Sequence, residues 1–309
     1  MHRARFWEPG EGRRVRCRLC PRYCHIEDGQ TGFCGVRLNQ GGTLYSLVYG
    51  QPWAVHIDPI EKKPLFHFLP GTTSFSIGTA GCNLHCQFCQ NHDISQTDAG
   101  YEVEPEDLAS IMLELQEQGC HNINLVSPSH VAPQIMAAVL LAAEAGLRLP
   151  LVYNTGGYDS LEMLRLLDGI IDIYMPDMKY ADAEIARRYS KVRNYPEVNR
   201  AAVREMHRQV GDLQIDENGL ARRGLLVRHL ILPNNLAGTA EVLQFLAEEI
   251  SPNTYLNLMD QYRPAYKAYQ YPELNRPITK QEYQEALRMA HERGLYRLDQ
   301  RRRLIWVLP

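Results

Sequence analysis

Apolar and polar positions follow a repeated order of strand and then helix along most of the chain. Residues 73–79 alternate between apolar and polar with the period of two that is typical of a strand. Residues 105–118 then place four apolar residues on one helical face, namely Leu108, Ile111, Met112 and Leu115. The same reading predicts strands at 121–127, 149–155, 169–177, 224–232 and 253–259, and helices at 131–145, 159–167, 181–190, 198–210, 239–250 and 280–293.

About six repeats of strand and helix predict a parallel sheet with its helices outside. The predicted fold class is α/β, a partial (β/α)6 TIM-type barrel with a small N-terminal cysteine-rich metal module. We expect the module at 1–50, an extended linker packed on the barrel at 51–71, and the barrel domain at 72–309. The length of 309 residues and the hydrophobic content of 45% suit one large domain with such an appendage.

Two helix starts carry capping signals. Asp159, with Glu162 three residues later, predicts the cap of the helix that ends near Leu167. Thr279 and Glu282 have the same spacing and predict a capping box for the last helix.

Charge and hydropathy narrow the function classes. The net charge is −3, so no bulk attraction to nucleic acid is expected. No apolar run is long enough to span a bilayer, and the first residues lack the apolar segment of a secretory signal. We therefore expect a cytoplasmic protein with neither nucleic acid nor a membrane among its partners.

Seven of the eight cysteines are expected to bind metal rather than to form disulfides, because disulfides are rare in the cytosol. One set of three lies directly after the first predicted strand of the barrel, and one set of four lies near the N-terminus. Cys120 stands apart and is expected to be a buried bystander. The set of three is Cys82, Cys86 and Cys89, and the set of four is Cys17, Cys20, Cys24 and Cys34.

The set of three has the spacing C-x3-C-x2-C within the stretch GTAGCNLHCQFCQNHDIS. In barrels of this kind, the loops at the carboxyl ends of the strands hold the chemistry. Three thiolates bind three irons of a [4Fe–4S] cluster and leave the fourth iron free to bind a substrate or a cofactor. The alternative is zinc with His85 or His92 as fourth ligand, although zinc sites favour paired C-x2-C knuckles.

The motif CNLHCQFC resembles the CxxxCxΦC signature of the radical S-adenosylmethionine superfamily, with Phe88 as the aromatic residue. The resemblance implies that the amino and carboxylate groups of S-adenosylmethionine chelate the open iron. Reductive cleavage then yields methionine and a 5′-deoxyadenosyl radical, which abstracts hydrogen from a substrate. It also implies an external one-electron reductant of the flavodoxin or ferredoxin type. Phe88 is expected near the adenine, and its alternative is ordinary core packing.

Residues 72–260 resemble more closely the glycyl-radical-enzyme activating group, of the pyruvate formate-lyase activating enzyme type. CQNHDIS, YMPDMKYAD and VRHLILP are similar to motifs of that group and place Asp177, Lys179 and Arg228 at or near strand ends. Lys179 and Arg228 suit a carboxylate, whereas Asp177 suits an ammonium group, a ribose hydroxyl or the orientation of Lys179. Asn154 ends another strand and suits the ribose. The alternative for the charged residues is a structural ion pair.

The stretch LVSPSHVAP differs from the corresponding stretch of that group. In that group the stretch is GGE-like and binds the amino group of the cofactor. Ser127 is the predicted replacement ligand, whereas His130 is expected to be a packed or capping side chain. The departure resembles PflX-like proteins and the radical enzyme of the AmmeMemoRadiSam system, which shares the N-terminal cysteine pattern.

The four N-terminal cysteines have the spacing C-x2-C-x3-C-x9-C. Four thiolates close a structural zinc site or hold a second iron–sulfur cluster, and the sequence leaves both metals open. Either metal would stabilise a short segment that buries little apolar surface.

The resemblance also ranks the substrates. A glycyl residue of a partner protein comes first, because its flanking amide groups delocalise the radical. The alternatives are radical modification of another peptide or small molecule, and a non-catalytic iron–sulfur or zinc protein that serves as a redox sensor or scaffold.

Overall fold

Short antiparallel strands occupy the N-terminal part of the protein. The structure is a computed structural model that describes residues 1–49, 52–59, 73–95 and 104–299. Six N-terminal strands form two three-stranded sheets around a few buried side chains such as Val15, Ile26 and Leu44. They are β1 (His2–Arg3), β2 (Trp7–Pro9), β3 (Val15–Cys17), β4 (His25–Ile26), β5 (Arg37–Gln40) and β6 (Thr43–Ser46). The strand orders are β1-β6-β5 and β2-β3-β4.

A third, larger sheet forms the centre of the molecule. Its strands are β7 (Pro52–Pro59), β8 (Thr73–Thr79), β9 (Ile123–Val126), β10 (Leu151–Thr155), β11 (Ile173–Pro176), β12 (Gln214–Ile215), β13 (Ala221–Leu230) and β14 (Tyr255–Met259). Neighbouring strands along the path β8-β9-β10-β11-β13-β14 are all parallel. β7 and β12 pair antiparallel with β8 and β13, respectively.

Helices follow most of the parallel strands and cover the outside of the sheet. They are α1 (His92–Ser95), α2 (Pro105–Glu117), α3 (Ala132–Glu144), α4 (Leu161–Leu166), α5 (Ala183–Ser190), α6 (Tyr195–Val210), α7 (Thr239–Phe245), which continues as a π-helix over Leu246–Ile250, and α8 (Lys280–Glu292). α2 buries Leu108, Met112 and Leu115, as its apolar periodicity predicts. Among the helices in the described part of the chain, none is both long and apolar enough to cross a membrane.

The predicted α/β class and partial TIM-type barrel are confirmed by this arrangement of six parallel strands. Because all six strands run in one direction, their carboxyl ends meet at one end of the sheet, where side chains from different strands can assemble a site. The domain boundaries at 50 and 71 stay predictions. Residues 52–59 lie extended along β8, but 50–51, 60–72, 96–103 and 300–309 lie outside the described residues.

The two capping predictions have different outcomes. Thr279 and Glu282 form the predicted capping box at the start of α8. The cap of α4 is Ser160, whose hydroxyl accepts from the Met163 N–H at 3.3 Å, so the prediction for Asp159 is wrong. Asp159 points inward and accepts hydrogen bonds from neighbouring hydroxyl groups, among them that of Thr155 at 2.6 Å. The carboxylate of Asp159 therefore belongs to a buried hydrogen-bond network, whereas the sequence pattern places it at the start of α4.

Candidate functional site

The set of three cysteines lies on the loop that follows β8. Cys86 is buried, and Cys82 and Cys89 are half-buried, each as a free thiol. The Ser190 hydroxyl lies 3.0 Å from the sulfur of Cys86, and the Leu84 N–H lies 3.4 Å from that of Cys82. The loop therefore places three thiols at the carboxyl end of the first parallel strand, as predicted.

Burial disfavours ionisation of two of these thiols. It raises the pKa of Cys82 to about 12. It also raises the pKa of Cys86, against the opposing effect of the nearby Lys179 ammonium group. Since the thiolate is the form that binds metal, a positively charged centre would favour the deprotonated form of these two sulfurs.

A network of polar side chains joins the carboxyl ends of β10, β11 and β13. Asp177 follows β11 and accepts from Lys179 Nζ at 2.6 Å and from Arg228 Nε at 2.8 Å. Arg228 Nη2 also donates to Asn154 Oδ1 at 2.8 Å. Four of the six predicted cofactor-binding residues thus share one connected network, and Lys179 links it electrostatically to Cys86.

The network carries its charges at neutral pH. Burial alone would raise the pKa of Asp177, but Arg228 and Lys179 outweigh it and hold that pKa below its usual value. Burial would lower the pKa of Lys179, but Asp177 and Cys86 raise it to about 12. Two cations and one carboxylate leave one positive charge in excess beside the thiols, which favours an anionic ligand.

Helix α6 supports this network from behind, through two residues that the sequence reading missed. The Tyr195 hydroxyl lies 2.9 Å from the Asp177 carbonyl oxygen and accepts from the Lys179 N–H at 3.1 Å. Asn199 Nδ2 donates to the same Asp177 carbonyl and to that of Gly157, both at 3.0 Å. Asn199 could have been found from the sequence, because it places an amide on the apolar face of α6. A buried polar group at such a position needs a hydrogen-bond partner.

Two neighbouring glycines have a structural role. A Cβ on Gly157, where φ is +73°, would lie 2.2 Å from Asn199 Nδ2 and 2.3 Å from the Asp177 carbonyl oxygen. A Cβ on Gly156 would lie 2.9 Å from Leu84 Cδ1. The atoms that approach both glycines closely belong to the protein itself.

The segment after β9 ties the cysteine loop to the sheet. Ser127 has a left-handed backbone with φ of 51°, and its N–H donates to the Asn154 carbonyl at 2.8 Å. His130 is buried and its Nε2 lies 2.8 Å from the carbonyl oxygen of Ala80, at the start of the loop. Burial lowers the pKa of His130 to about 4, which fits the packed role predicted for it. Ser127 stays a prediction as cofactor ligand.

Phe88 lies in an aromatic cluster on the cysteine loop. Its ring makes edge contacts with Tyr262 at 5.7 Å and Tyr180 at 6.5 Å between centroids. Phe88 is 6% exposed. The contacts account for its burial through packing, and its predicted place beside the adenine stays a prediction.

The two histidines of the zinc alternative both pack on aromatic rings. The His85 ring packs on Phe33 with 4.0 Å between centroids, and the His92 ring stacks on Tyr266 at 4.9 Å. These contacts account for the position of both rings through packing, and zinc with either histidine as fourth ligand stays an alternative.

The four N-terminal cysteines meet at one cavity, which also has walls from the barrel. Burial raises the pKa of Cys34 to about 11 and that of Cys20 well above its usual value. Besides the four thiols, the lining residues are Leu19, Arg22, Gly32, Arg37, Asn83 and His130. The structure thus brings Cys17, Cys20, Cys24 and Cys34 together, and it places them against the loop of the other cysteine set.

Comparison with known proteins agrees with the motif on the cysteine loop. The family model described as the Radical SAM superfamily matches residues 76–246. Two uncharacterized proteins of Methanocaldococcus jannaschii are similar to this chain along most of its length. One is 29% identical over 292 residues, which covers 92% of this chain and 75% of the relative. The other is 30% identical over 302 residues, which covers 96% of this chain and 83% of the relative.

Solved structures share the fold at low sequence identity. Streptococcus suis SuiB, solved with its precursor peptide SuiA bound, matches with a TM-score of 0.51 and 12% identity. The match covers 78% of this chain and 50% of that chain, so this chain spans half the length of SuiB.

Proposed function

The chain belongs to the radical SAM superfamily, and from this premise we propose that Cys82, Cys86 and Cys89 hold a [4Fe–4S] cluster that cleaves S-adenosylmethionine. The donor set fits, since three soft thiols on one loop match three irons of the cluster. When bound, the cluster supplies the electron that breaks the sulfonium bond and so generates the 5′-deoxyadenosyl radical. The protein's own residues bind and orient the cofactor and shield it from water.

The polar network beside the thiols is the observation that carries this proposal. We assign Lys179 and Arg228 to the binding of a ligand carboxylate. Their two positive charges exceed the one negative charge of the Asp177 carboxylate that lies between them. Asp177 orients both cations. Asn154, held by Arg228 through its amide oxygen, keeps its amide N–H groups for a ribose hydroxyl. We assign Ser127 to the cofactor amino group, as the sequence predicts.

For the substrate, we propose a glycyl residue of a partner protein as the first candidate. The parallel path from β8 to β14 stays open in the described residues, and an open barrel side suits the entry of a peptide loop. The second candidate is radical modification of another peptide or small molecule. It is favoured by LVSPSHVAP, where Ser127 and His130 occupy the stretch in which activating enzymes carry a GGE-like motif.

The proposed partners follow from the chemistry. Reductive cleavage consumes an electron in each turnover, so we propose an external one-electron donor of the flavodoxin or ferredoxin type. The net charge of −3 gives no reason to propose nucleic acid as a partner. We propose that the protein works in the cytoplasm and binds no membrane. A second metal centre at the four N-terminal cysteines, zinc or iron–sulfur, completes the proposal.

Release of 5′-deoxyadenosine tests this function. The anaerobically reconstituted protein, incubated with dithionite and S-adenosylmethionine, is expected to release it, and no release from a fully loaded cluster would favour a redox sensor or scaffold. Deuterium transfer into 5′-deoxyadenosine from a glycine-deuterated candidate protein would support the first substrate. Absence of transfer from such proteins, with cleavage intact, would favour the second.

A further inference from the structure

Two guanidinium groups face the cavity of the four N-terminal thiols without satisfying all their N–H donors. Arg37 is only 4% exposed, Arg22 is half-buried, and both line the cavity. Among the described residues, Nη2 of Arg22 and Nε of Arg37 are buried and have no hydrogen-bond partner. Other donors of these side chains are used: Arg37 Nη2 donates to the Arg5 carbonyl, and Arg22 Nη1 donates to the Lys191 carbonyl at 2.7 Å.

A buried N–H donor that lacks an acceptor destabilises the fold, and it does so more strongly when the group is charged. Two such donors at one cavity therefore indicate that an anionic acceptor belongs there. Four protonated thiols do not supply negative charge, whereas four thiolates around a metal centre do. The N–H groups of arginine then bond to the sulfur atoms of that centre, as outer groups do around metal sites.

We propose that Cys17, Cys20, Cys24 and Cys34 bind an iron–sulfur cluster, with Arg22 and Arg37 as N–H donors to its sulfur atoms. This inference specifies the metal of the second centre in the proposed function, and it rests on that part of the proposal. It does not depend on cleavage of S-adenosylmethionine.

The unpaired N–H donors favour a cluster over zinc. A structural zinc ion binds four sulfurs at about 2.3 Å and adds no acceptor of its own. The inorganic sulfides of a cluster add acceptors for the unpaired donors of Arg22 and Arg37.

Arg22 further connects this site to the loop of the other cysteine set. Its Nε donates to the carbonyl of Asn83, the residue after Cys82, at 3.0 Å. Its guanidinium carbon lies 3.5 Å from the centroid of the Phe33 ring, and Phe33 packs on His85. A filled N-terminal site therefore fixes one wall of the neighbouring cysteine loop.

The test is the metal and acid-labile sulfide content of cysteine variants, reconstituted anaerobically with ferrous iron, sulfide and an equal amount of zinc. The Cys82→Ala/Cys86→Ala/Cys89→Ala variant is expected to keep iron and sulfide in about equal amounts. The Cys20→Ala/Cys34→Ala variant is expected to lose about half of the sulfide of the unchanged protein. The two variants separate the sites, because the first lacks the radical cluster and the second retains it.

Bound zinc without sulfide in the triple variant would overturn the inference. So would a sulfide content that is the same in the double variant and in the unchanged protein, a comparison that holds even if the triple variant fails to fold. Absence of S-adenosylmethionine cleavage would not change either result, because the zinc and sulfide contents are measured without it.

The role of the arginines has its own readout in the triple variant, where only the N-terminal cluster remains. Arg37→Met removes N–H donors from the sulfur atoms, so the reduction potential of the cluster is expected to become more negative. Arg16→Met is the matched control, because Arg16 lies on β3 beside Cys17 but is exposed. An unchanged potential in Arg37→Met would contradict the proposed contact.

Discussion

The two sets of cysteines differ in how the chain brings them together and in what surrounds them. Cys82, Cys86 and Cys89 lie on one loop after β8, beside the charged network of the barrel. The N-terminal set comes from β3 and the turns around β4 and β5, and it meets two arginines. Each set contains thiols whose pKa is raised by burial, Cys82 in the first and Cys34 in the second.

The number of thiols decides what each set can do. Four thiolates fill every coordination position that a metal centre offers to the protein. Such a closed centre suits the stabilisation of a segment with a small core. Three thiolates leave one position open, which is the condition for binding a reacting molecule at the metal. In the described part of the barrel, the charged network of Asp177, Lys179 and Arg228 lies beside the set of three. We therefore propose that the set of three serves the chemistry and the set of four serves stability.

The largest expected effect separates the two sets directly. Cys86→Ala is expected to abolish 5′-deoxyadenosine release, because the open cluster loses one of three thiolates. Cys24→Ala is expected to leave the spectrum of the radical cluster largely intact. Cys120→Ala is the control, since Cys120 is buried outside both sets. Cleavage by Cys86→Ala at the rate of the unchanged protein would show that the site is elsewhere.

Asp177→Asn tests the charged network that marks the open site. The change leaves two half-buried cations without their carboxylate, so the free energy of unfolding is expected to fall by up to about 3–5 kcal/mol in urea titrations. Glu249→Gln is the matched control, because Glu249 pairs with Arg204 at the surface and its loss costs about 1 kcal/mol or less. Equal losses in the two variants would contradict the buried ion network.

Gly81→Ala tests the contact between the two regions. The φ of Gly81 is +87°, and an added Cβ would lie 2.8 Å from both the Cys34 carbonyl oxygen and Val36 Cγ1. Strain and overlap together are expected to lower the free energy of unfolding by about 2–4 kcal/mol. Gly119→Ala has a similar φ of +77° but open space around the new Cβ, so it shows the cost of the backbone alone. A matching cost in both variants would mean that the two regions are not in contact.

His229 makes the open site sensitive to acid. It is buried beneath the network, where Nδ1 lies 2.7 Å from the Met178 carbonyl oxygen and Nε2 lies 3.0 Å from the Thr239 hydroxyl. Burial lowers its pKa to about 4, against about 6.5 in an unfolded chain. The unfolded chain therefore gains the proton first as pH falls, and stability is lost from about pH 6.5 down towards pH 4.

The share of His229 in this loss is about 1.5 kcal/mol between pH 6.5 and pH 5. Urea titrations at both pH values should show a correspondingly smaller loss in His229→Gln than in the unchanged protein. His291→Gln, at an exposed position of α8, should leave the loss as it is. A loss of the same size in His229→Gln would mean that His229 takes up its proton in the folded protein.

Sequence patterns predict features that local periodicity and spacing determine. The six parallel strands, the capping box at Thr279 and the cysteine loop after β8 are of this kind. The carboxylate of Asp159 was misplaced because its burial depends on hydroxyl groups from other segments, such as Ser129 at 2.5 Å. The contact of Arg22 with Asn83 joins parts of the chain that no local pattern relates, so it could be found only from the fold.

The most direct test of the central claim is electron paramagnetic resonance of the reduced radical cluster with and without S-adenosylmethionine. The Cys20→Ala/Cys34→Ala variant serves for this measurement, because it retains Cys82, Cys86 and Cys89 and removes the signal of the N-terminal centre. If one iron is open, addition of S-adenosylmethionine changes the spectrum, since that iron gains new ligands. A fully assembled, reduced cluster whose spectrum stays the same at saturating S-adenosylmethionine would contradict the account.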